Sequence, residues 1–239
     1  MKRIILVTIF AAFMPVGLIA QSAATFHVFP QIADGNLNDG SFYSTSIFAT
    51  NVNTQAATCT LRLYGVPASR LDTKSTVTLP ARGSIALMAT AGNGSPLAAG
   101  YATLTCDRPV HAFATYLFSS ALGLTLSGAS VFSSPPTTRA QLIVLNLGRF
   151  RSALAIANDT DSVARYQLAV IDIEASQTVA TTTITVPARS NLPRFLDEMF
   201  PLPKDFVGSV VITSSSTPFS LVGLLYIDAA FLSQPAAIY

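Results

Sequence analysis

The 239-residue chain carries only 14 basic and 12 acidic side chains, two Cys, two His and no Trp, and half of it is apolar, with a mean hydropathy of +0.49. Disordered chains show the reverse balance. Nucleic-acid binding needs a basic face that this composition does not supply, and a zinc centre built from Cys and His would have only two of each to draw on, so neither is expected.

Residues 1–24 read as a signal peptide. Lys2 and Arg3 are followed by an apolar stretch from Ile4 to Phe13 that only Thr8 interrupts, and Pro15 precedes small residues with cleavage expected after Ala20 or Ala24. Loss of Lys2 and Arg3 leaves 12 basic against 12 acidic groups. Such a neutral, charge-poor surface favours association with itself or with neutral polymers.

Ala33-Asp34-Gly35 is expected to form a turn, and Asp34, Asn36, Asn38 and Asp39 make the first loop rich in oxygen ligands. Calcium is the cation they would suit. However, the spacing fails the EF-hand pattern, and Asp and Asn also favour turns in their own right. No other cofactor is expected. His27 and His111 each stand alone in a strand-like run, with no carboxylate or Cys within three residues.

Residues 57–63 alternate polar and apolar with period two, as do 101–106, which is the pattern of half-buried strands. Parity places Cys59 and Cys106 inward, and in an oxidising compartment a disulfide between them is expected. From Pro109 to Thr138 there is no charge, but strand-like alternation and the Ser, Thr and Gly content argue against a transmembrane helix, so no membrane span is expected after signal cleavage.

A shift of 107 residues lays Thr76–Arg82 on Thr183–Arg189 with five of seven positions identical, and Asn51 on Asn158. Gly100 then falls near Gly208 and Pro109 near Pro218. This internal repeat predicts two units, 25–133 and 139–239, joined by a Pro-rich linker at 134–138. About seven strands per unit with turn residues between them predict two tandem immunoglobulin-like antiparallel β-sandwiches. In the second, Asn191–Phe200 has apolar residues at helical spacing, which predicts a short helix capped by Asn191. Arg82 and Arg189, repeated after Pro-Ala, are expected to fix a turn.

The opening Phe29-Pro30-Gln31-Ile32-Ala33-Asp34-Gly35, the Leu-Pro-Ala-Arg turn and the Leu-Asp-Glu-Met-Phe-Pro segment resemble uncharacterised secreted bacterial modules of the acidobacterial type. Those modules occur as paired β-sandwich units. The resemblance implies export and a β fold, with no activity attached.

No G-x-S-x-G, S-x-x-K or H-E-x-x-H motif occurs, and no carboxylate pair stands out. The expected function is therefore that of an exported, non-catalytic structural or interaction protein of the cell surface or periplasm, with a protein partner or self-association. A carbohydrate- or polymer-binding module is the alternative, with Tyr43, Tyr64 and Tyr101 as candidate exposed aromatics. A secreted hydrolase is a second alternative.

Overall fold

The computed structural model describes residues 22–66, 75–88, 94–174, 176–228, 230–234 and 236–238. Most of the expected signal peptide, residues 1–21, lies outside them. Within them the chain is nearly all antiparallel strand. The first half contributes β1 (Ala24–Asn36), β2 (Phe42–Asn51), β3 (Ala57–Tyr64), β4 (Thr76–Leu79), β5 (Ser84–Met88), β6 (Ala98–Ser119) and β7 (Thr125–Phe132). The second contributes β8 (Arg139–Asn146), β9 (Phe150–Asn158), β10 (Ala164–Asp172), β11 (Thr178–Val186), β12 (Ser190–Phe195), helix α1 (Leu196–Met199), β13 (Phe206–Thr213), β14 (Ser220–Ile227), β15 (Ala230–Gln234) and β16 (Ala237–Ile238).

In the first half β6 belongs to two layers. Its opening residues lie between β3 and β1, and beyond Pro109 it lies between β2 and β7. Pro109 sits at the changeover, where its missing N–H interrupts no central ladder. In the second half the same job is divided. β13 lies in the sheet β11-β10-β13-β8-β16 and β14 in the sheet β12-β9-β14-β15, which gives a sandwich-like pair of layers.

The two halves pair their strands in matching registers. Ala57 faces Leu79, as Ala164 faces Val186. Thr50 faces Ser84, as Ala157 faces Asn191. Leu61 faces Leu104, as Leu168 faces Ile212. Thr50 also faces His111, as Ala157 faces Ser220.

The sheet of β9 and β14 is buried on both faces. Leu154, Ile156 and Leu221 pack with Tyr166, Leu168 and Phe219 in the second-half core. Ala153, Ala155, Val222, Leu224 and Phe231 join Phe29, Ile32 and Ala102 in the first-half core. The unbroken apolar run of β9 follows from this, because a strand covered on both sides has no reason to alternate. Polar groups close the same seam. Asn191 Nδ2 donates to Pro30 O at 3.0 Å and Gly100 O at 2.9 Å, and the Leu221 N–H donates to Ser134 Oγ at 2.9 Å. Ser134 and Thr137 of the expected linker are buried, as is Ser133 at the end of the first unit.

Cys59 and Cys106 are directly opposite on β3 and β6 and form a disulfide, with Cα atoms 4.0 Å apart. Tyr166 occupies the Cys59 register in the second half. It is fully buried and meets Phe219 edge-on at 5.1 Å, so ring packing fills the space a bridge would span.

Two expectations are corrected. Ala33-Asp34-Gly35 forms no turn, because β1 runs on to Asn36 and the chain reverses at residues 37–40, closed by Gly40 N donating to Leu37 O. The helix expected over Asn191–Phe200 shrinks to Leu196–Met199, and Ser190–Phe195 is the edge strand β12. Asn191 does not cap a helix, since its amide is spent on the first half. Pro193 fits an edge strand, where a ladder donor is dispensable.

Candidate interaction site

β5, β2, the second part of β6, and β7 lie side by side, and the outward residues of these strands fall in rows. One row runs Ala86, Phe48, Phe113, Phe132, each directly opposite the next. The next contains Ser46, Thr115 and Ser130. Phe48 and Phe113 stack with centroids 4.9 Å apart and planes inclined 13°. Phe132 is 67% exposed. Leu124 and Leu126 extend the apolar surface toward the β6–β7 turn, whose Leu122 is 88% exposed.

No Asp, Glu, Lys or Arg occurs in β2, β5, β7 or residues 110–119. The face is thus an uncharged sheet with a phenyl row across it. Its hydroxyls bond one another sideways, Thr50 to Ser84 at 2.8 Å and Thr115 to Ser130 at 3.0 Å. A contiguous exposed apolar surface of this kind is uncommon on a monomeric protein.

A second feature lies at the seam between the halves. A cleft of about 330 Å³ is lined by Tyr43, Tyr116, Phe195, Tyr226 and Phe231, with Gln31, Arg194 and Glu198 supplying polar groups. Tyr43 packs on Phe118 at 4.8 Å. Burial pushes the Tyr226 hydroxyl up to about 12, with Tyr43 adding to the shift. Arg151 lies over the Phe195 ring at 3.6 Å and pairs with Asp197 and Glu198.

Comparison with protein-family models and with curated proteins finds no match for this chain.

The residues singled out from sequence are dispersed. Tyr43 lines the cleft. Tyr101 is fully buried and offers no exposed ring: Tyr64 stacks on it at 4.5 Å, and its hydroxyl donates to Asp159 Oδ1 at 2.8 Å. Burial, with Asp159 beside it, raises the Tyr101 hydroxyl far above its ordinary range. The reason lies in tertiary packing, since the outward side of β6 here meets the second half. Arg189 lies over the Tyr64 ring at 5.9 Å and pairs with Asp159 at 2.6 Å and Asp161 at 2.9 Å. Arg82 and Arg189 both have positive φ, 53° and 51°, and each donates its backbone N–H across the turn, to Asn53 O and Thr160 O.

The oxygen-rich loop uses its groups internally. Asp34 is fully buried on β1, Asn36 Nδ2 donates to Gly40 O, and Asp39 accepts from Ser41, which holds its carboxyl below the usual range. Asn38 is exposed at the turn. Among the described residues no group of three or more His, Cys, Asp or Glu gathers in metal-binding geometry.

Phe48, Phe113 and Phe132 are not among the sequence candidates. Their signal was present as the uncharged run from Pro109 and the parity of Ser44, Ser46, Phe48 and Thr50. Sharing one row, however, depends on the registers of four strands.

Proposed function

We propose that this chain is an exported, non-catalytic structural or interaction protein of the cell surface or periplasm. In this reading it is built from two copies of one immunoglobulin-like sandwich unit and binds through the uncharged outer face of the first copy. Export is supported by the leader-like residues 1–24 and is compatible with the Cys59–Cys106 disulfide. Two copies are supported by the matching registers at a shift of 107 residues. Binding rests on one observation, the Ala86–Phe48–Phe113–Phe132 row on a sheet face without charge.

Hydroxyl-radical oxidation tests this reading. Phe132 should be oxidised readily in dilute purified mature protein and protected in intact cells, and the mature N-terminus should follow Ala20 or Ala24. Equal oxidation in both settings removes the interaction reading, and a cytoplasmic chain retaining its first 24 residues removes export.

The seam cleft favours a second reading, a carbohydrate- or polymer-binding module, because aromatic walls with few polar groups suit a neutral sugar chain. A glycan array read with wild type and Tyr43→Ala tests it. Binding that is lost in the variant supports this reading, and no binding to any neutral glycan ends it.

A further inference from the structure

We infer that the bare outer face of the first half takes a second copy of this chain, seated head to tail, so that the junction between the halves is repeated between molecules. The inference rests on the reading above, of two copies of one unit that binds through this face.

In the second half the corresponding face is covered. Ala153, Ala155, Val222 and Leu224 are buried against the first half. By strand pairing, the positions matching them in the first half are Ser46, Phe48, Phe113 and Thr115. The same face is therefore buried in one half and bare in the other.

What covers it in the second half is the side of the first half where β1 and β7 run, held by polar bonds such as the Phe231 N–H to Ser127 Oγ at 2.9 Å. The matching strands of the second half are β8, which pairs β13 as β1 pairs β6, and β15, which pairs β14 as β7 pairs β6. On that side Ile143 is 56% and Leu232 53% exposed. Each molecule thus presents one bare face and, elsewhere, the side that suits it. Joining two different surfaces is a heterologous contact, which propagates into chains or rings.

Charge and size agree with this occupant. The face holds no ion to desolvate, and the mature chain, with 12 basic and 12 acidic groups, has no net charge to drive copies apart. Four strands of about eight residues cover roughly 500 Å² in projection, on the scale of the ~800 Å² of accessible surface that a stable interface buries per partner. Four of the face's hydroxyls, those of Thr50, Ser84, Thr115 and Ser130, are already paired with one another, so the face suits a dry apolar partner better than a hydroxyl-rich glycan.

Sedimentation velocity on mature protein, from low to high micromolar, tests the inference with wild type, Phe132→Asp, Ile143→Asp and an equimolar mixture of the two variants. Both substitutions lie at exposed positions, and an unchanged melting temperature verifies folding. Phe113→Ser and Leu232→Asp provide a second pair. Wild type should grow beyond a dimer with concentration, and each variant alone should stay monomeric. The mixture should form dimers and stop there, since each variant retains the surface that the other lacks. A monomeric wild type, an Ile143→Asp variant that associates like wild type, or a monomeric mixture overturns the inference. If wild type stays monomeric while Phe132 remains protected in cells, the interaction reading stands with a different partner, and protection reproduced by a neutral glycan names that partner.

Discussion

Asn51 and Asn158, 107 positions apart, are both fully buried and make the same set of hydrogen bonds in their respective halves. Asn51 Nδ2 donates to the carbonyls of Gln55, Leu79 and Pro80, and Asn158 Nδ2 to those of Ser162, Val186 and Pro187. Each Oδ1 accepts two bonds from the residue two positions on, Asn53 or Thr160. One amide thus ties a strand end to the loop that follows it and to the Pro-Ala-Arg turn.

Replacing either Asn by Ala leaves buried carbonyls without a donor, so each variant should lose about 3 kcal/mol in urea unfolding. Asn→Asp should be worse than Asn→Ala at both sites, because a carboxylate would face two or three carbonyl oxygens. Losses that differ widely between the halves would mean that the two amides do different work.

The Cys59–Cys106 bridge closes a sequence separation of 47 residues, worth about 4 kcal/mol in the chain-entropy account. Reduction should lower the urea midpoint accordingly. Because Ala155 and Val222 pack into the first-half core, both halves should unfold in one transition before and after reduction. Calorimetric and van't Hoff enthalpies check this by their agreement.

Much of the architecture was legible because burial on one side writes period two into the chain. Residues 57–63 and 101–106 show it, and parity also brought Cys59 and Cys106 to the same side of their sheet. The stretch Asn191–Phe200 misled for a physical reason. Its apolar spacing reflects two different neighbours, β9 along the edge strand and the core around Leu196, and not one helical face. Tyr101 was misjudged for the related reason that nothing local records the second half lying on it. The phenyl row was illegible because Phe48, Phe113 and Phe132 meet only through non-local pairing.

Asp159 holds the seam together by accepting from Tyr101 and pairing with Arg189. Arg189 is 38% exposed, so solvent screens its ion pair and Arg189→Met should cost under about 1 kcal/mol. Asp159→Ala should cost about 2 kcal/mol, because the buried Tyr101 hydroxyl then lacks an acceptor. Adding Tyr101→Phe to Asp159→Ala should recover part of that loss. A double-mutant cycle with no coupling would remove the assigned bond.

His27 provides the pH dependence. Its Nε2 lies 3.0 Å from Ala24 O and must donate there, so in the neutral ring Nδ1 accepts from Ser133 Oγ at 2.7 Å. Burial holds the imidazole below its ordinary value of 6.5, outweighing the raising effect of the carbonyls of Ala24 and Val110. The unfolded chain therefore takes up a proton at a higher pH than the folded one. Below pH 6.5 it binds more protons than the native state, and stability must fall as the pH drops through that value toward the depressed folded pKa. Asp39 and Asp161 lie below 3.8, held down by Ser41 and Arg189, and so act only at lower pH. Urea midpoints should decline from pH 7.5 to pH 5, and His27→Gln, which keeps an amide donor for Ala24 O, should flatten that decline while lowering stability at neutral pH. An equal slope in wild type and variant would show that His27 is not the titrating group.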